Sequence, residues 1–128
     1  MRLLLDTHAI MWWWRDDGRL ARAAGVAISD RVNDIFVSTV SGLEIAIKVR
    51  IGKLPLMAEA VHRYDELVRD WGFLHLPVDP HHAVHAGLLE GAHRDPFDRL
   101  IAAQALLDGL TVVTKDPQFR AFGCETLW

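Results

Sequence analysis

Two hydrophobic periods alternate along the chain, and each switch between them marks an element. Arg2-Leu3-Leu4-Leu5 is an apolar run too short for a buried helix, so it predicts a central strand ended by Asp6-Thr7. A helix is expected from near His8, carrying Ile10, Met11 and Trp12 to Trp14, with Asp6 as its candidate cap. Asp16-Asp17-Gly18 turns the chain into a second, alanine-rich helix over 20–30. Asp34-Ile35-Phe36-Val37-Ser38 predicts the second strand. The helix after it, from about Val40 to Arg50, sets Val40, Leu43, Ile47 and Ile51 on one stripe. Beyond a 52–55 loop, one helix is expected over 57–71, with Ala60, Val61, Tyr64, Leu67 and Val68 inward. Residues 73–77 predict a third strand near an edge, because Pro77 limits pairing. Asp79-Pro80 then opens a helix to about Glu90.

The stretch from His93 to Asp116 organises the rest. Asp95 suits an N-cap, Pro96 the first helical position, and Asp98 the first turn. Leu100, Ile101, Ala103, Leu106 and Leu107 form the apolar side, and Gly109 is a stop signal. Leu110 to Thr114 predicts the fourth strand, which Asp116-Pro117 ends; residues 122–127 predict a fifth, short one. Strands alternating with helices predict an α/β fold of three layers, with a mostly parallel sheet of four to five strands covered on both faces. Ligands of such sheets bind where the strands end.

Four acids belong at that edge. Asp6 follows the first strand and Asp116 the fourth; Glu44 lies early in the helix after the second, and Asp98 opens the helix leading into the fourth. Each has a structural reading as well. Asp6 can be a cap, Ser41 to Glu44 has capping-box spacing, Asp98 suits a helix dipole, and Asp116 before Pro117 starts turns. Together they repel one another in a partly dry cleft unless a cation sits among them. Oxygen ligands favour Mg²⁺ or Mn²⁺ over zinc. Such a site suits phosphate-ester hydrolysis. His93 flanks Asp95 as a candidate contact, whereas His81-His82 reads as a surface pair. Lys48, Arg50, Arg94, Arg99, Lys115 and Arg120 are candidate phosphate contacts, with Arg99 and Lys115 foremost because they adjoin the acids. The three adjacent tryptophans cannot all face one core, so at least one of them is expected to be partly exposed.

Composition narrows the class. At 128 residues, one domain over 1–128 is expected. Apolar runs are too short for a membrane span and no signal peptide is visible. The single cysteine, Cys124, excludes an internal disulfide and fits a reducing, cytoplasmic setting as a buried, inert thiol. A net charge of −3 argues against nonspecific coating of nucleic acid but allows a local phosphate site. No Walker loop, GxGxxG or Ser/His/Asp order occurs.

Three segments carry a family resemblance: LLDTHAIMWW (4–13), VSTVSGLEIAIKVRIGKL (37–54) and HRDPFDRLIAAQALLDGLTVVTKDPQF (93–119). The chain resembles the PIN-domain ribonucleases, and within them the VapC toxins of type II toxin–antitoxin systems. The resemblance implies a small α/β/α domain and Mg²⁺- or Mn²⁺-dependent endonucleolytic hydrolysis of RNA, leaving 5′-phosphate and 3′-hydroxyl ends. By position it assigns the catalytic acids to Asp6, Glu44, Asp98 and Asp116, with Asp6, Asp98 and Asp116 on the metal. Asp95 and Thr114 support them. It also implies a cognate VapB-like antitoxin that places a basic side chain in the acidic site, and a homodimer that forms a heterotetramer or larger assembly with it. Leu43 departs from the Trp that often precedes the family's Glu. The alternatives are another Mg²⁺-dependent phosphohydrolase or DNase, and a non-catalytic module that binds through the acidic edge.

Overall fold

Leu3, Leu4 and Leu5 have no exposed surface, and the fold is laid out around them. In the computed structural model, which describes residues 1–128, they lie in β1 (Arg2–Leu5), the central strand of a five-stranded sheet. The strand order is β3-β2-β1-β4-β5, and every pairing is parallel. β2 spans Asp34–Ser38, β3 Leu74–Leu76, β4 Thr111–Val113 and β5 Thr126–Leu127. β3 is an edge strand, as Pro77 predicts.

Successive leucines of β1 point to opposite faces. Leu3 and Leu5 join Ile35, Val37 and Val113 under α1 (Thr7–Trp14), α2 (Arg22–Ser29) and α5 (Tyr64–Asp70). Leu4 and Val112 pack under α7 (Pro96–Asp108) with Phe119 and Phe122 around α8 (Gln118–Ala121). The result is the expected α/β/α sandwich. At about 1.5–3 kcal/mol per buried aliphatic side chain, this strand anchors both cores.

Three expectations about helices change. The helix expected over 57–71 is instead a 3₁₀ turn (Pro55–Met57), α4 (Ala58–His62) and α5, because the backbone leaves helical geometry at Arg63. Tyr64 holds the break: its hydroxyl donates to the Ser38 carbonyl at 3.1 Å, and its ring packs edge-on against Trp14. That ring lies 3.1 Å from where a Cβ on Gly42 would stand, so the glycine makes room for it. In α3 (Thr39–Arg50) the inward face is rotated from the predicted stripe: Ser41, Glu44 and Ile45 are buried beside Val40, while Leu43 and Ile51 are exposed. In α6 (Pro80–Leu88), His82 is buried rather than on the surface. Its Nδ1 accepts from the Asp79 backbone at 3.1 Å and its Nε2 meets Asp108 at 3.0 Å, which ties the start of α6 to the end of α7.

The strong terminus signals hold. Asp95 caps α7, with Pro96 in its first turn, and Gly109 ends it in the left-handed conformation at φ 66°. No helix is long and apolar enough to cross a membrane.

Candidate metal centre

β1 and β4 are neighbours at the point where the strand order reverses, and their C-terminal ends open the crevice typical of such sheets. Asp6 leaves β1 in an extended conformation and caps α1. One carboxylate oxygen accepts from the Ala9 N–H at 2.7 Å, and the other accepts from the Thr114 hydroxyl at 2.6 Å. The capping reading of Asp6 is therefore true as far as it goes. Thr114 also accepts the Asp116 N–H at 3.0 Å, so one hydroxyl fixes the carboxylate after β1 relative to the backbone after β4. Burial raises the Asp6 pKa above the ordinary carboxylate range. The bonds from Thr114 and Ala9 and the nearby His8 oppose the shift, and the Asp116 charge adds to it.

Asp98 stands in the first turn of α7. Asp95, the cap, accepts from the N–H groups of Phe97 at 2.9 Å and Asp98 at 3.3 Å, and so sets the start of the helix. The Asp98 carboxylate then meets His93 Nε2 at 2.8 Å. Burial raises its pKa to about 6. The His93 bond pulls the other way, and the charges of Asp95 and Glu44 add to the rise. Ligand atoms of His93, Asp98 and Asp116 all lie within 4.8 Å of one another. Neither Asp6 nor Glu44 belongs to that set: Asp6 adjoins it through Thr114, and Glu44 through its charge on Asp98.

Glu44 is buried at 4% exposure. The helix is capped by Ser38, whose hydroxyl accepts from Val40 N–H at 3.1 Å, so Glu44 is the sixth residue of α3 and the capping box expected from Ser41 does not form. Its Oε2 accepts from Lys48 Nζ at 2.7 Å one turn on, and its Oε1 is buried with no partner. An unpartnered buried carboxylate oxygen costs roughly 1–3 kcal/mol or more, so this one is free to take a ligand from outside the chain. Asp116 accepts from Gln118 N–H at 2.9 Å, as a turn-starting Asp does.

Sequence reasoning missed one pair here. Thr7 and Ser41 hydroxyls meet at 3.0 Å, both buried, and tie α1 to α3 beside Asp6 and Glu44. Ser41 lies one helical turn before Glu44, a spacing that puts the two on one face.

Of the two foremost candidates for phosphate contact, Arg99 is engaged inside the protein, while Lys115 is exposed. Arg99 turns back into the protein: its guanidinium donates to the carbonyls of Ala86 at 2.9 Å, His93 at 2.8 Å and Leu89, and lies over the Phe122 ring. It satisfies carbonyls left free at the end of α6 together with that of His93, which occupies its guanidinium inside the protein. Lys115 Nζ sits 5.1 Å from the centre of the Trp12 ring. Cys124 is buried, and burial pushes its thiol up to about 11.

The family model of the PIN domain matches residues 3–123. The chain is similar to Ribonuclease VapC22 of Mycobacterium tuberculosis (strain ATCC 25618 / H37Rv), with 32% identity over 123 residues, 93% of this chain and 90% of that protein. Its fold is similar to that in the structure of VapBC2 from Rickettsia felis bound to a DNA fragment from their promoter (TM-score 0.70, 16% identity, 99% of this chain and 98% of that one). It is also similar to VapBC-1 from nontypeable Haemophilus influenzae (TM-score 0.67, 19% identity, 99% and 97%). At these identities the likeness to the solved structures carries the fold.

Proposed function

The chain belongs to the PIN-domain family, and on that premise we propose that it is a metal-dependent endoribonuclease toxin, held in check by a VapB-like antitoxin. The observation that carries this reading is the gathering of Asp6, Glu44, Asp98 and Asp116 at one end of the sheet, with one Glu44 oxygen buried and unpartnered. The ribonuclease relative, similar over nearly its whole length, supports the substrate class. The likeness to VapBC complexes supports the partner and the assembly. The whole chain acts as one unit in this reading.

The donors fit a hard divalent ion: carboxylate oxygens predominate, and Lys48 is the one lysine or arginine bonded to any of them. Asp98 and Asp116 would hold Mg²⁺ or Mn²⁺, with Asp6 and Glu44 completing the acidic ring. Such an ion, when bound, makes a water more acidic and offsets charge on the leaving 3′ oxygen. The protein's own part is positional. Thr114 holds Asp6 toward Asp116, and His93 fixes the rotamer of Asp98. The Thr7–Ser41 bond keeps α3, and hence Glu44, against α1. Water adds to phosphorus as the P–O3′ bond breaks, and the products are a 5′-phosphate and a 3′-hydroxyl. A basic side chain of the antitoxin entering the same ring would offset the same charge and exclude substrate.

The test is cleavage of single-stranded RNA, DNA and p-nitrophenyl phosphate with Mg²⁺, Mn²⁺ or EDTA. Cutting of RNA alone, lost in EDTA and lost in Asp6→Asn, is expected. Turnover of DNA or of the small ester in place of RNA overturns the reading.

A further inference from the structure

Beside the acidic ring lies a feature of opposite charge. A cavity of about 280 Å³ opens between α1 and the segment after α3, and His8, Arg15, Arg19, Lys48 and Lys53 line it. The chain as a whole carries a net charge of −3, so this clustering of cations is not its average surface. One of them reaches the acids directly: Lys48 bonds Glu44 at 2.7 Å. His8 stands two residues after Asp6, in the first turn of α1. The cations are also unequally engaged. Arg15 lies 3.7 Å from Asp17, a carboxylate that Arg19 already pairs at 2.7 Å, whereas Lys53 is exposed and makes no ion pair. Met11, Leu54 and Met57 give the cavity an apolar wall. Cations in front of an apolar wall suit a phosphate linked to a sugar and base, and they lie next to the carboxylates where a second phosphate of the same strand would be cut.

We infer that this cavity is a binding site for the RNA strand, in which Lys53 and Arg15 hold a backbone phosphate flanking the scissile one. The inference rests on the ribonuclease reading above. The exposed Arg15 and Lys53 favour a polyanionic strand as the occupant. Arg15 and Lys53 are then substrate-binding residues. Lys48, tied to Glu44, is a positioning residue.

The experiment is fluorescence anisotropy of a fluorescein-labelled, 20-nucleotide single-stranded RNA of mixed sequence. It uses the full chain in EDTA over a range of salt, alongside cleavage of RNA in Mg²⁺. Lys53→Glu is expected to weaken binding about tenfold and Lys53→Ala about threefold, each at an unchanged melting temperature. Each lost cation should reduce the slope of log affinity against log salt by about 0.7. Lys53→Arg should keep wild-type affinity, as should Arg31→Ala, a cation elsewhere on the surface. In cleavage, Lys53→Ala should raise KM and leave kcat within about twofold. If wild type cleaves RNA while Lys53→Glu and Arg15→Glu keep its affinity and salt slope, the cavity inference fails alone. A Lys53→Glu protein that binds RNA normally but no longer binds its antitoxin assigns the cavity to the partner and overturns the inference. Wild type that cleaves no RNA brings down the ribonuclease reading, and this inference with it.

Discussion

Two acid–histidine contacts sit at opposite ends of α7, and they have been finished differently. At the C-terminal end, His82 meets Asp108 at 3.0 Å and uses its other nitrogen in the Asp79 capping box. The second acid there, Asp79, spends its carboxylate on the His82 N–H as the cap of α6. At the N-terminal end, His93 meets Asp98 at 2.8 Å, but Asp95, Glu44 and Asp116 crowd the same space. Burial, with the charges of Asp95 and Glu44 added, raises Asp98 to about 6 against the pull of His93. One contact is a closed knot that joins α6 to α7, and the other leaves more negative charge than the chain itself offsets. The geometry of an acid–histidine pair therefore says little about function; the residual charge around it says much more.

The largest effect expected to sharpen this contrast is on cleavage. Asp98→Asn should lower RNA cleavage by more than about 100-fold, since even groups behind a metal's ligands matter 10–100-fold. Asp108→Asn should leave it within about twofold. Equal losses in the two variants, measured as kcat/KM with Mg²⁺, would erase the distinction between the two ends.

Stability should respond in the reverse sense. His82→Ala removes a buried group bonded on both nitrogens and should cost about 1–3 kcal/mol, read as a lower melting temperature with cleavage retained below it. Asp98→Asn should instead stabilise the metal-free protein at pH 8. The folded-state pKa of about 6 lies above the ordinary 3.8, so the folded state holds this proton more tightly. Above pH 6 the carboxylate is charged in both states and the fold bears its burial, at about 1–3 kcal/mol. As pH falls from 6 toward 4, the folded state takes up the proton first and that cost disappears. The gap between Asp98→Asn and wild type should therefore be widest at pH 8 and close near pH 4, and Mg²⁺ at pH 8 should narrow it. Thermal melts at both pH values decide this, and a gap that widens on acidification would contradict it.

The smallest effect expected is at Thr114→Val. It removes the hydroxyl that bonds Asp6 and accepts the Asp116 N–H, and should cost about 1 kcal/mol in stability. Metal affinity should fall more noticeably than that, because Asp6 loses its orientation. Calorimetric titration with Mn²⁺ checks it, and unchanged affinity would make Thr114 a purely structural bond.

Much of the layout was legible in local order. The bounds of β1 and β2 follow from their apolar runs. The bounds of α7 follow from Asp95, Pro96 and Gly109, because caps and left-handed glycines act within a turn of the chain. Alternation of strands and helices was enough for a parallel sheet, and a parallel sheet was enough to bring four distant acids to one edge. Contacts that depend on a neighbour from elsewhere in the chain were hidden. Tyr64 breaks a periodic segment because Gly42 and Ser38 receive it. Arg99 is taken by carbonyls of α6, and His82 is buried by Asp108. Most telling is α3, whose hydrophobic stripe suggested Leu43 and Ile51 inward. The packing buries Ser41 and Glu44 instead, because the face a helix presents depends on what α1 places opposite it. The order of residues thus determined which elements form and where their charged ends meet. Only the packing decided which side chains remain free at that meeting point, since that depends on partners tens of residues away.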